Sequence, residues 1–76
     1  MYIIYGKDSC PYCVKAVKLL SAMGLDYDYV NIDYDEDAKS FVVDNLGAKT
    51  VPQIFNKHKH IGGYDELYRK LIAESD

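Results

Sequence analysis

Cys10 and Cys13 close the run Cys10-Pro11-Tyr12-Cys13, and the chain has 2 cysteines in all. A disulfide across so short a loop would restrain the unfolded chain little, so a purely structural bridge is a poor account of the pair. Two chemistries remain, thiol–disulfide exchange and metal ligation. A C-x-x-C pair is half of many zinc sites, but no second such pair exists in the sequence. His58 and His60, only two residues apart on an expected hairpin, do not supply the missing half. Exchange asks for something else: one sulfur held ionised and reachable, and a second nearby to displace it. Pro11 has no N–H to leave unpaired and suits the first turn of a helix. That puts Cys10 at a helix N-terminus, where free backbone N–H groups and the helix dipole favour a thiolate. Lys7 adds positive field just upstream. Cys13 is expected one turn inside, on the side of Ala16 and Val17, more buried and less reactive.

The elements that must hold this pair can be read from hydrophobic spacing. Tyr2 to Tyr5, a run of aromatic and β-branched residues, predicts a strand with both faces covered. Gly6 to Ser9 is expected as a loop. Ala16, Val17, Leu20 and Met23 follow at helical spacing, with Lys15, Lys18 and Ser21 opposite and Gly24 as the stop. Tyr27 to Asp33 predicts a second strand, with Val30 and Ile32 on one face. Asp35, Glu36 and Asp37 suit the positive end of a helix dipole, and Ala38, Phe41, Val42 and Leu46 form its apolar stripe up to Gly47. Gln53–Asn56 and His60–Gly62 predict a hairpin around a turn at Lys57–Lys59. Tyr64, Leu67, Tyr68, Leu71 and Ile72 trace a last amphipathic helix, and Ala73 to Asp76 are expected to fray. The order is β-α-β-α-β-β-α. Its first two strands are parallel, because a helix joins them, and its last two antiparallel.

Composition bounds the function classes. With 76 residues the chain is expected to be a single domain, 1–76. Hydrophobic residues at 49% and charged residues at 28% are those of a folded globular protein. A net charge of −3 argues against nucleic acid as a partner. No apolar run is long enough to span a membrane. The start, MYIIYGKD, lacks the basic and apolar regions of a signal peptide, so a cytoplasmic location is expected.

Three motifs then carry a resemblance that covers nearly the whole chain. Cys10-Pro11-Tyr12-Cys13 is similar to the dithiol active site of the glutaredoxin family. Thr50 to Phe55, T-V-P-Q-I-F, resembles its cis-proline segment. Gly62 to Leu67, G-G-Y-D-E-L, resembles the glycine pair that opens its last helix. The resemblance implies an α/β minimal thioredoxin fold, a four-stranded mixed sheet flanked by three helices. It implies an enzyme, a glutathione-dependent thiol–disulfide oxidoreductase with catalytic Cys10 and Cys13, glutathione as co-substrate, and no metal or tightly bound cofactor. It also implies a glutathione site built from Lys7, Tyr12, Lys49, Thr50, Val51, Pro52, Gly63, Tyr64 and Asp65. In that site the Val51 backbone would pair with the cysteinyl unit as an added strand. Glycines would allow close approach, and Asp65 would accept from the ligand's α-ammonium while helix N–H groups meet its α-carboxylate. Lys7 and Lys49 would serve the glycine carboxylate. Disulfide-bearing proteins, ribonucleotide reductase among them, are the expected partners of a monomer. Two other readings stand beside this one: a relative re-reduced by thioredoxin reductase, and an iron–sulfur carrier bridging a cluster through Cys10 and glutathione.

Overall fold

A computed structural model describes residues 1–74. Along the chain run β1 (Tyr2–Gly6), α1 (Pro11–Ala22), β2 (Tyr27–Asn31), α2 (Glu36–Ser40), β3 (Gln53–Asn56), β4 (Lys59–Gly62) and α3 (Tyr64–Glu74), in the expected order. The four strands make one sheet in the order β2-β1-β3-β4. β1 pairs parallel with β2 and antiparallel with β3, and β3 pairs antiparallel with β4. The strand that feeds Cys10 is therefore central, held on both edges.

Each face of the sheet has its own apolar layer. Ile4, Ile54, Ala16, Leu20 and Leu67, all without exposed surface, join α1 and α3 to one face. Burying a Leu or Ile side chain in this way contributes about 1.5–3 kcal/mol. On the other face Ile32, Ala38 and Val42 pack with Tyr5, Val30 and Phe41 under α2. Tyr5, Phe41 and Phe55 close this layer as a triangle of rings with centroids 5.3 to 5.9 Å apart.

The ends of elements differ from expectation for local reasons. β2 stops at Asn31, short of Asp33, because the Asn31 side chain accepts from the Asp33 N–H at 2.9 Å and turns the chain. Gly6 is the last residue of β1, not the start of a loop. Met23 is 41% exposed and caps α1 without joining the core. Asp35 caps α2 by accepting from the Ala38 N–H at 3.0 Å. The helix then widens into a π-helix over Phe41–Asn45, with the Leu46 N–H donating to the Phe41 carbonyl at 2.9 Å. β4 begins one residue early, at Lys59, because Lys57 adopts a left-handed φ of 57° and tightens the turn. Ala73 and Glu74 complete α3, and Glu74 pairs with Lys70 at 2.9 Å. Ser75 and Asp76 lie outside the described residues, as does that part of the expected fraying. Among the described residues no helix is long and apolar enough to cross a membrane.

Candidate active site

Cys10 is the N-cap of α1. Its backbone is extended (φ −94°, ψ 112°), and Pro11 follows in the first turn as its fixed φ requires. The N–H of Cys13, one of the donors a helix start leaves unpaired, donates to Cys10 Sγ at 3.3 Å. From the other side the Cys10 thiol donates to the Val51 carbonyl at 3.5 Å. Cys10 is half-buried and Cys13 has no exposed surface, and both are free thiols. Burial pushes the Cys13 thiol up to about 12, with its bond to Cys10 adding in the same direction. Cys13 therefore keeps its proton at neutral pH, and the two sulfurs are divided into an outer and an inner one.

Gly6 makes the inner position possible. A Cβ there would lie 2.7 Å from Cys13 Sγ and 3.1 Å from its Cβ. The end of β1 thus passes directly against the buried sulfur, and only a residue without a side chain fits. Tyr29 on β2 closes the same corner, and burial pushes its hydroxyl up to about 12.

Val51, whose carbonyl meets Cys10, also lines a groove of ≈ 500 Å³. One wall is Thr50, Val51 and Pro52, with the Val51–Pro52 bond cis. The other is Tyr12 with Gly63, Tyr64 and Asp65 at the start of α3. Seven of the residues singled out in the sequence meet here from three separate segments. Tyr12 is 53% exposed and lies 5.9 Å, ring to ring, from Tyr64, which also packs on the core. Gly62 holds φ at 123° where β4 turns into α3, which brings Gly63 against the Pro52 carbonyl.

Lys7 and Lys49 do not line this groove. They flank a smaller concavity of ≈ 100 Å³ on the far side of Thr50 and Val51, together with Lys39. Lys7 also faces Asp33 at 4.0 Å. Three further residues, Gln53, His60 and Glu66, also line the groove, and of these only Gln53 carries a signal in the sequence. A lone amide inside the apolar run V-P-Q-I-F must find partners when buried. His60, expected as an exposed strand residue without a role, is one of those partners.

A reduced C-x-x-C pair on a strand–loop–helix corner, faced by a cis-proline, defines a thiol–disulfide oxidoreductase of the thioredoxin fold. The family model described as Glutaredoxin matches residues 2–61, and the chain belongs to the glutaredoxin family. It is 43% identical over 65 residues to Glutaredoxin 3 of Escherichia coli K12, covering 86% of this chain and 78% of that protein. A crystal structure of wheat glutaredoxin superposes with a TM-score of 0.83 at 28% identity, over 96% of this chain and 70% of that one. A buckwheat glutaredoxin–glutathione complex gives 0.83 at 29% identity, over 95% and 68%.

Proposed function

We propose that this enzyme reduces protein–glutathione mixed disulfides and protein disulfides with glutathione as reductant, Cys10 attacking and Cys13 resolving. The observation that carries the reading is the position of Cys10 Sγ. It lies within 3.5 Å of the carbonyl of Val51, a residue that also lines the groove walled by Thr50–Pro52 and by the start of α3. An extended peptide laid along Val51 would present its own sulfur to Cys10, with Asp65 and the first N–H groups of α3 at its charged end. The buckwheat relative was crystallised with glutathione, which supports the same ligand here. Lys7 and Lys49 serve the far carboxylate from across the Thr50–Val51 wall.

In the one-thiol route the Cys10 thiolate attacks the glutathione sulfur, a Cys10–glutathione disulfide forms, and the protein thiolate leaves and takes up a proton. A second glutathione thiolate then attacks the glutathione sulfur of that disulfide and frees Cys10. In the two-thiol route Cys10 attacks a protein disulfide, Cys13 displaces the protein to give Cys10–Cys13, and two glutathiones restore the dithiol. Ribonucleotide reductase is one protein disulfide suited to the second route, and the enzyme acts as a cytoplasmic monomer.

The test is turnover of a glutathionylated peptide with glutathione, glutathione reductase and NADPH. Cys10→Ser abolishes it and Cys13→Ser keeps much of it. Equal loss in both variants removes the one-thiol route. Re-reduction by thioredoxin reductase, with glutathione inert, replaces the glutathione reading altogether.

A further inference from the structure

Gln53 stands where β3 begins, and its side chain is polar although only 8% of the residue is exposed. Both ends of its amide are used. Nε2 donates to the Thr50 carbonyl at 2.8 Å, and Oε1 lies 2.8 Å from Nε2 of His60. Because the amide nitrogen is committed to a carbonyl, Oε1 is the acceptor and His60 Nε2 carries the proton. The imidazole is steadied in turn by the Phe55 ring, stacked at 4.7 Å and 23°. A continuous set of contacts therefore runs from Phe55 through His60 and Gln53 to the Thr50 carbonyl.

The end of that set is the part that matters for chemistry. The Thr50 C=O and the Val51 N–H belong to one planar peptide unit. Gripping the oxygen therefore fixes the direction of the hydrogen. Val51 is the residue whose carbonyl meets Cys10 Sγ, and both Thr50 and Val51 line the groove. Thr50 precedes β3, so its carbonyl lies outside the sheet ladder and needs another anchor.

We propose that Gln53 and His60 are positioning residues. They act as a strut from β4 to the Thr50–Val51 peptide that aims the Val51 N–H at the cysteinyl backbone of the glutathionyl group. The inference rests on the glutathione reading above and adds residues that touch neither sulfur. Without the strut the peptide plane is free to rotate, and binding weakens while the sulfur chemistry is untouched.

The experiment compares wild type with His60→Phe, His60→Gln and Gln53→Met, using a glutathionylated peptide, glutathione, glutathione reductase and NADPH. His60→Phe keeps a ring to stack on Phe55 and removes the donor, His60→Gln restores a donor, and Gln53→Met keeps length and removes the amide. Loss of one such hydrogen bond predicts KM for the peptide about five- to tenfold higher in His60→Phe and Gln53→Met, with kcat within about twofold. His60→Gln lies nearer wild type, and the rate of Cys10 alkylation by iodoacetamide is the same in all. Unchanged KM in His60→Phe overturns the strut, whatever happens to its melting temperature. So does a fall in kcat matched by slower Cys10 alkylation. If Gln53→Met does not fold, the His60 pair on its edge strand carries the test. Wild type that does not turn over with glutathione removes the underlying reading, a result distinct from wild-type turnover with an indifferent His60→Phe.

Discussion

Removing Cys10 as a serine leaves Cys13 the sole thiol, and the structure sets how slowly it will react. Burial, the largest influence on Cys13, persists in that variant, while the smaller upward pushes from Cys10 itself, which help to raise the wild-type thiol from 9.0 to about 12, are lost. At pH 7 a thiol at the lower value is about 1% thiolate, and at the upper value about one in 10⁵, a thousandfold difference. The more basic thiolate is intrinsically the better nucleophile. With a Brønsted slope of ~0.4–0.5, three decades of basicity recover about fifteen- to thirtyfold. With the whole wild-type shift kept, alkylation would be about thirty- to sixtyfold slower than for the same residue in the unfolded chain, so protonation slows the variant by at most this factor. Cys13 has no exposed surface, so poor access slows labelling further. The assay is iodoacetamide labelling at pH 7, followed by intact mass, of Cys10→Ser native and in denaturant, with Cys13→Ser alongside. Native Cys13 labelling within about threefold of its denatured rate would mean that the inner sulfur is neither sealed nor held protonated, and the division of labour drawn from its burial would be wrong.

Two further outcomes follow from the same corner. Gly6→Ala forces a Cβ to 2.7 Å from Cys13 Sγ and 3.2 Å from the Tyr29 ring, and overpacking of this kind costs about 1–3 kcal/mol. A thermal melt should fall by several degrees, and an unchanged melt would show that the strand end can back away from the sulfur. Alkaline stability gives an independent reading. The folded state holds the Cys13 proton more tightly than the unfolded chain does, so this contribution is complete below about 9 and is lost as pH rises toward about 12. Between pH 7 and pH 10 wild type should lose on the order of 1 kcal/mol more than Cys13→Ala in urea titrations. Tyr29 is raised chiefly by burial, which both proteins share, and next by the charge of Cys13, so only its burial part cancels in the difference. Parallel pH profiles for the two proteins would contradict the burial argument.

Much of this molecule is legible before folding. The order of elements, the parallel first pair of strands and the final hairpin follow from spacing and connection length, because a helix between two strands returns the chain in the same direction. The inequality of the two cysteines also follows from local rules. Pro11 opens a helix, so Cys10 is at its start and Cys13 one turn in, on the face that carries Ala16 and Leu20 into the core. The pairing of Tyr12, Thr50–Pro52 and Gly63–Asp65 was readable only through resemblance, since nothing in their spacing along the chain says that three distant segments converge.

What the chain alone could not supply is whatever depends on which backbone passes close to which side chain. Gly6 reads as an ordinary loop glycine until β1 is seen to run against Cys13 Sγ. His60 is exposed, as its strand position suggests, and only the register of β3 with β4 shows that it reaches Gln53. Lys7 and Lys49 lie on the far side of the Thr50–Val51 wall because the path of the cis-proline segment, not their charge, decides which concavity they reach. Periodicity is a property of neighbours in sequence, whereas these contacts join residues that only the packing of helices on both faces of one sheet brings within a few ångströms.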